Sequence, residues 1–394
     1  MNSPHAFRYR VYAQEIIFSP GALAQLGSAV ERAGWRRLLL CTTGSAVRAG
    51  HAALAQRLLA DRWQATFDHV AAHVPEAQVA EVLALAEAHN IDAVIGLGGG
   101  SPLGLAKAVA HALSSQRAAA GQPAVPIVAI PTTYAGSEMT ATFGVTRQNA
   151  AGEPLKMTVT DALAVAQLVI YDPELTLDLP PALTAATGIN ALAHCIEALY
   201  SITRHPLSSA AALAGLRAIA GALPHCYAEP HDLQARSELL TGAHLAGASL
   251  ASVSMGLHHG LCHVLGGTAG VPHGIANSII LPHAMRFNAD ALVPAPPAET
   301  WGQLAAGALG LTPPAPVPQV TAEAAAVAAA QAATAHVEAL ISRLNLPQKL
   351  RLAGVRAADL PRLAQLAFAS RTVQNNPKPI PSAEALEALL RAAW

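Results

Sequence analysis

Residues 93–101 read Ala-Val-Ile-Gly-Leu-Gly-Gly-Gly-Ser, an apolar run that ends in three glycines and a serine. Five apolar residues closed by glycine fit a buried strand, and Leu103–Leu113 behind them reads as a helix. Glycines at such a turn let backbone N–H groups approach a pyrophosphate, and the following helix N-terminus favours its charge. The same turn also serves as a plain tight connection, and Ser101 stands where the last glycine of G-x-G-x-x-G would be. Gly98, Gly99, Gly100 and Ser101 are the first cofactor-binding candidates.

Outward from this stretch, Arg37–Thr43 and Val125–Ile130 are two more short apolar runs that close in turn residues. Amphipathic segments at 21–33, 51–59 and 76–89 lie between the runs. The alternation predicts a parallel sheet covered by helices. The run at 125–130 leads into Pro131-Thr132-Thr133-Tyr134-Ala135-Gly136-Ser137-Glu138. Thr132, Thr133 and Tyr134 thus stand at a strand's C-terminal end, where open α/β sheets bind ligands; capping of a following helix is the alternative. The run at 37–43 ends in Thr42 and Thr43, with no carboxylate to bind a ribose 2′-hydroxyl or to repel a 2′-phosphate. NADH and NADPH are both admissible there.

After Tyr171 the character changes to helical patterns at Leu183–Tyr200, Pro206–Leu223, Leu233–Ser252, Met255–Leu265, Ala322–Leu344 and Ala383–Ala393. A boundary near Asp178 gives an α/β dinucleotide-binding domain at 1–178 and an all-α domain at 179–394, and 394 residues suit two domains. The composition, 52% hydrophobic and 12% charged, excludes a disordered polyelectrolyte. A formal charge of -1 provides no overall basic field for nucleic acid or an anionic membrane. Four cysteines without a C-x-x-C read as reduced thiols, and the N-terminus shows no signal-peptide core, so a cytoplasmic location is expected. From Leu239 to Met285 there is no Asp, Glu, Lys or Arg, yet six histidines interrupt the stretch; it reads as the interior of a soluble domain rather than a membrane span.

Asn190 and His194 stand four apart on one helical face, as do His259 and His263 on a later helix, with His258 beside them and His273 in a Pro-His-Gly turn. Each histidine alone fits a satisfied core residue. Together they fit either a divalent metal held by imidazole nitrogens or a site for an anionic substrate.

The motifs GGGS at 98–101, PTTYAGSEMT at 131–140, TGINALAHCIEALY at 187–200, GLHHGLCHVLGG at 256–267 and PHGIANSIILPHAMRFN at 272–288 resemble the iron-containing alcohol dehydrogenase family. Within it, Tyr134 resembles the maleylacetate reductase branch, since metal-dependent relatives carry PTTAGTGSE. The resemblance implies the dehydroquinate synthase-like fold of this family, a homodimer, and hydride transfer from NADH or NADPH. It implies reduction of the conjugated C=C bond of maleylacetate, a small dicarboxylate, to 3-oxoadipate in aromatic-compound degradation. Carried over by position, Gly99, Gly100 and Ser101 hold the pyrophosphate, while Thr132, Thr133 and Thr140 line the nicotinamide-ribose side. Lys156 lies near the ribose. His194, His259 and His273 match the family's histidine metal ligands, and His263 matches a proton relay. The fourth ligand, an Asp in the family, is Asn190 here. Losing that carboxylate weakens divalent-metal binding and removes a charge that would repel a dicarboxylate, so a metal is not expected to be required. The alternatives are a metal (Fe or Zn)-dependent alcohol or aldehyde oxidoreductase and a lyase related to dehydroquinate synthase.

Overall fold

The computed structural model describes residues 7–148, 154–293, 299–311 and 321–394, apart from the side chains of 154–156. These divide into two compact units, one of residues 11–179 with 230–240, the other of the N-terminal arm up to Arg10 with 180–229 and 241–394.

The first unit is built on six parallel strands. They are β1 (Glu15–Phe18), β2 (Leu38–Cys41), β3 (Trp63–Phe67), β4 (Ala93–Gly98), β5 (Ile127–Pro131) and β8 (Leu168–Tyr171), in the order β1-β8-β5-β4-β2-β3. Between β5 and β8 the chain also makes an antiparallel hairpin, β6 (Thr142–Gln148) and β7 (Pro154–Thr160). The helices are α1 (Leu26–Arg32), α2 (Gly44–Arg48), α3 (His51–Leu59), α4 (Glu76–Ala88) and α5 (Gly100–Ala119). Strand residues alternate between the two faces. Leu38, Leu40, Ile95, Leu97, Val128, Ile130 and Ile170 pack with Leu23, Leu26, Val30 and Leu59 in one apolar layer. Gly96 points to the other face, where a Cβ would meet the Leu103 Cα at 3.0 Å, so α5 lies directly on the sheet there. From β2 the chain runs out to β3 and returns to β4 on the opposite side of β2. Connections therefore diverge between the C-terminal ends of β2 and β4, the switch point where such sheets bind ligands.

The second unit is helical throughout its described residues. Its helices are α6 (Pro181–Tyr200), α7 (Pro206–Ala228), α8 (Leu233–Ser252, whose first turns belong to the α/β unit), α9 (Leu257–Ala269), α10 (His273–Phe287), α11 (Trp301–Ala308), α12 (Ala322–Arg343), α13 (Leu360–Phe368), α14 (Arg371–Gln374) and α15 (Ala383–Ala393). By length and composition α6, α7 and α12 could each cross a membrane, but α6 is buried from Thr184 to Tyr200 except at Thr187 and forms the centre of this unit. Leu257, Leu261 and Leu265 of α9 pack with Ile279 and Ile280 of α10 and with Leu363 and Leu390.

Gly260 shows how tightly α9 is held: a Cβ there would meet Val373 at its Cγ2 at 2.3 Å and its backbone N at 2.9 Å. Gly260→Ala is expected to cost about 1–3 kcal/mol as an overpacked site, read as a lowered Tm. Gly307→Ala on α11, with open space around it, should leave Tm unchanged or raise it, by up to about 1 kcal/mol of stability from helix propensity. Equal melting of the two variants would show that the α14 segment yields.

Candidate active site

Three loops meet at the C-terminal end of the parallel sheet. Gly98 at the end of β4 pairs with Pro131 at the end of β5, and the Thr132 N–H donates to the Gly98 carbonyl at 2.9 Å. The Thr42 hydroxyl, just past β2, donates to the Leu97 carbonyl at 2.9 Å. Gly98 has φ +139°, a backbone open chiefly to glycine, and a Cβ at Gly99 would meet Thr133 Cγ2 at 3.2 Å. Gly100 is exposed with nothing within 4 Å of its Cβ position, and it opens the 20-residue α5, whose first turn carries no acidic residue and no side-chain cap. The first N–H groups of a long helix thus face an open approach, the arrangement that binds phosphate. Ser101, Thr132, Thr133 and Thr43 are partly exposed around these loops.

Other candidates prove to support the loops from behind. Thr42 is fully buried with its hydroxyl used on Leu97. Tyr134 is fully buried too, and its hydroxyl accepts from the Arg236 guanidinium at 2.9 Å; Arg236, also fully buried, donates further to the Pro230 carbonyl at 2.8 Å. The Thr140 hydroxyl, nearly buried, donates to the Ser137 carbonyl at 2.9 Å. The side chains of Thr42, Tyr134 and Thr140 are thus engaged within the loop framework itself. Lys156 lies on β7 opposite Thr146, and its side chain is outside the described residues.

The 137–142 segment is organised by a residue that the sequence reading left without a role. Lys107 of α5 is buried, and its ammonium donates to the carbonyls of Ser137 (2.5 Å), Thr140 (2.7 Å) and Thr142 (3.2 Å). Burial pushes its pKa down to about 7, against the attraction of buried Glu138. Glu138 accepts from the Tyr171 hydroxyl at 2.8 Å.

In the helical unit the histidines converge as the spacing predicts. The His194 ring stacks on His259 with centroids 4.7 Å apart; His259 lies 6.1 Å from His273 and 6.3 Å from His263, and His263 stacks on His273 at 5.9 Å. Asn190, on α6 one turn before His194, is buried, as are His194 and His259, whereas His273 is half-buried and His263 exposed. His273 is the first residue of α10 rather than part of a turn, with Pro272 as its N-cap. Gly274 next to it lies so close to α6 that a Cβ would meet the Ala186 Cβ at 2.8 Å.

Glu197, one turn beyond His194 on α6, is the organiser that the sequence reading missed. It is fully buried. Its Oε1 accepts the Gly256 N–H at 2.9 Å, and its Oε2 accepts both the His259 N–H at 3.2 Å and the His259 Nδ1. The Leu257 N–H goes to Asn376 Oδ1 at 3.3 Å, so two distant side chains serve the first turn of α9. Burial by itself would raise the Glu197 pKa, but His259 and His258 hold it well below the usual carboxylate range. Burial drives His194 well below the ordinary histidine value, with the neighbouring His259 adding to it; burial also lowers His259, against the pull of Glu197. His258 behaves oppositely: burial opposes its charge, yet Cys262 and Glu197 outweigh that and push its pKa up to about 10. It is fully buried behind His259, with its Nε2 beside the Asn277 carbonyl at 3.3 Å and its Nδ1 3.5 Å from Glu197. His258 is thus packed against Glu197 and His259, within the same group of close ligand atoms.

With Nδ1 committed to a carboxylate, His259 presents an unprotonated Nε2, and that atom is buried with no hydrogen-bond partner among the described residues. The His194 Nδ1 is in the same condition. A carboxylate behind an imidazole is the arrangement that orients a metal-ligating histidine. Among the described residues, the ligand atoms of Glu197, His258 and His259 all lie within 4.8 Å of one another, while His194 and His273 match the family's ligands by sequence position. The expectation that a metal is dispensable thus rests on Asn190 alone, and the histidine geometry lends it nothing.

The N-terminal half matches the iron-containing alcohol dehydrogenase family over residues 13–173, and residues 184–394 match the C-terminal domain of the Fe-containing alcohol dehydrogenase family. Maleylacetate reductase of Pseudomonas sp. (strain P51) is 35% identical over 379 residues, 96% of this chain and 95% of that protein. Maleylacetate reductase of Pseudomonas knackmussii is 40% identical over 292 residues, 74% of this chain and 77% of that protein. The crystal structure of maleylacetate reductase from Agrobacterium tumefaciens superposes with a TM-score of 0.82 at 34% identity, covering 99% of this chain and 98% of that one.

Because Glu197 stands behind His259, Glu197→Gln is expected to weaken Zn²⁺ or Co²⁺ binding by about 10–100-fold. Competition with a chromophoric chelator, with circular dichroism as the control for folding, measures this; unchanged affinity in a folded variant would remove the orienting role.

Proposed function

The chain belongs to the iron-containing alcohol dehydrogenase family, and on that premise we propose that it reduces the conjugated C=C bond of maleylacetate to 3-oxoadipate with a nicotinamide nucleotide. The observation that carries this reading is the mutual approach of the imidazoles of His194, His259, His263 and His273, with a neutral Asn190 one turn before His194 and the last three histidines in a stretch, Leu239 to Met285, that has no Asp, Glu, Lys or Arg. Such a site can receive a dicarboxylate without like-charge repulsion.

The chain's residues divide the work. The open N–H groups at Gly100 and Ser101 receive the nucleotide pyrophosphate, with Thr132 and Thr133 beside them. Hydride adds to the alkene carbon conjugated to the ketone, and negative charge develops on the ketone oxygen as an enolate. That oxygen needs donors in place before the charge arrives. His259 cannot be one of them while its Nε2 is bare, so the donors are the Asn190 amide and the more exposed His263 and His273. Protonation of the enolate carbon completes the reduction. His263, the exposed member of the cluster, is placed to exchange its proton with solvent and to deliver one. His194, His259 and His273 would hold a divalent cation where one is bound, and it would supply Lewis-acid polarisation of the ketone oxygen.

The partnerless His194 and His259 nitrogens favour a second reading, a metal-dependent reduction of an alcohol–aldehyde couple. One assay separates the two. Protein stripped by a strong chelator should oxidise NADH or NADPH when maleylacetate is added and form 3-oxoadipate; activity on maleylacetate absent until Fe²⁺ or Zn²⁺ returns, with turnover of simple aldehydes, would favour the second. His263→Ala should lower kcat by about 10²–10⁴-fold, the range of a lost general acid, while nucleotide Kd stays unchanged. Equal losses in both would mark His263 as structural.

A further inference from the structure

We infer that the end of β2 and the short helix α2 that follows it form a phosphomonoester subsite, made by Thr43, Ser45 and Arg48, that receives the 2′-phosphate of NADPH and makes this chain an NADPH-preferring reductase. The inference rests on the nicotinamide-nucleotide reading above and specifies which nucleotide that reading requires.

The placement comes from the sheet. β2 and β4 are adjacent and parallel, with Cys41 opposite Gly96, so their C-terminal loops emerge side by side. When the loop after β4 holds the pyrophosphate, the loop after its neighbour across the switch point is the one that meets the adenosine ribose. In such a loop a carboxylate selects the free 2′-hydroxyl, and an arginine accommodates a 2′-phosphate.

The chemistry of this loop is of the second kind. Residues 41–50 read Cys-Thr-Thr-Gly-Ser-Ala-Val-Arg-Ala-Gly, without an acidic side chain. The Thr43 and Ser45 hydroxyls converge at 2.8 Å, and each side chain has solvent access. One hydroxyl donates to the other at that spacing, so the pair leaves one hydroxyl proton to offer a phosphate. Arg48 is exposed and makes no ion pair among the described residues. Its guanidinium lies back along the helix, where a Cβ on Gly44 would meet its Nη1 at 3.3 Å. Gly44, between Thr43 and Ser45 in the chain, thus leaves room for that guanidinium. The nearest strand end beyond, that of β3, carries Asp68, and the neighbouring His69 ring engages that carboxylate at 3.2 Å. A planar guanidinium with an open fork and two adjacent hydroxyls is a set suited to a terminal phosphate, and it offers a bare ribose hydroxyl little.

The test uses the full-length protein and two adenosine probes that need no reducible substrate. Adenosine 2′,5′-bisphosphate and 5′-AMP are titrated by calorimetry into wild type, Arg48→Ala and Thr43→Asp, and kcat/KM is measured with NADPH and NADH. Wild type should bind the bisphosphate about ten- to hundredfold more tightly than 5′-AMP, the worth of a charge-assisted hydrogen bond. Arg48→Ala should remove that preference while leaving 5′-AMP binding and NADH kinetics unchanged, and Thr43→Asp should reverse it. Equal binding of the two probes by wild type, or a preference that survives Arg48→Ala, overturns the subsite and leaves the reductase reading intact. Failure of both probes and both nucleotides to bind overturns the nucleotide reading along with it.

Discussion

A single carboxylate, Glu197, sets the geometry of the helical unit around its histidines. It sits on α6 with no access to water, and an ion there is tolerable only if its lone pairs are all engaged. They are engaged by the start of α9, whose own first N–H groups are buried and need acceptors. One group thus solves two problems, the buried charge and the buried helix end. The consequence for chemistry is direct: the same oxygen that accepts the His259 backbone N–H also accepts its Nδ1, so a carboxylate fixed by the helix start orients the ring. The network continues outward. Asn376 takes the Leu257 N–H and exchanges side-chain hydrogen bonds with Asn288 at 2.7 and 3.0 Å, and the Asn288 carbonyl accepts from the Trp301 indole. Packing across α6, α9 and α10 is therefore registered by polar contacts, which specify one arrangement more sharply than apolar surface does.

The α/β unit uses the opposite charge for the same purpose. Lys107 is a cation inside the sheet–helix layer, surrounded by main-chain carbonyls of the segment that follows Pro131. A segment with glycine, serine and threonine has little apolar surface to hold it. Buried carbonyls in turn need donors. An ammonium supplies three N–H groups at one point, which is why a lysine rather than a leucine occupies that helical position. Arg236 does the equivalent for Tyr134. In both units, then, buried formal charges support the candidate site residues from behind, Lys107 and Arg236 in one unit and Glu197 in the other.

That layering explains how much the sequence disclosed. β2, β4 and β5 were legible because both of their faces are covered, so they read as continuous apolar runs. β1 sits at the sheet edge and is largely exposed, and β3 opens on Trp63 and Gln64; neither carries the pattern that burial imposes. The β6–β7 hairpin is polar enough to pass for loop. The histidine pairs were legible through their i, i+4 spacing. His273 was misread as a turn because Pro272 and Gly274 flank it, whereas the proline caps α10 and the glycine admits α6. The supporting residues were the least visible. Yet a lone Glu197 in ALAHCIEALY, or a lone Lys107 in LGLAKAVAHAL, is a charge on an otherwise apolar helix. Such a charge signals a buried partner, and that signal is present in one sequence. What the sequence does not contain is the partner's identity, because Gly256 and Ser137 contribute only backbone.

The position of Asn190 gains its meaning from the same layering. In the set that resembles the family's ligands, Asn190 stands where the family has an Asp, while Glu197, fully buried one turn beyond His194, keeps its carboxylate against His259 and His258. A charge behind the cluster is compensated by His258 and by helix N–H groups, and it orients His259 without repelling what arrives in front. A charge at position 190 would add to the affinity for a cation and subtract from that for a dianion by the same Coulombic interaction. On that argument an Asn at 190 favours the dianion, which is the premise of the proposed reduction. The fold can in this way keep its histidines, their carboxylate support and their helix contacts unchanged across chemistries that differ in which charge they need to bind.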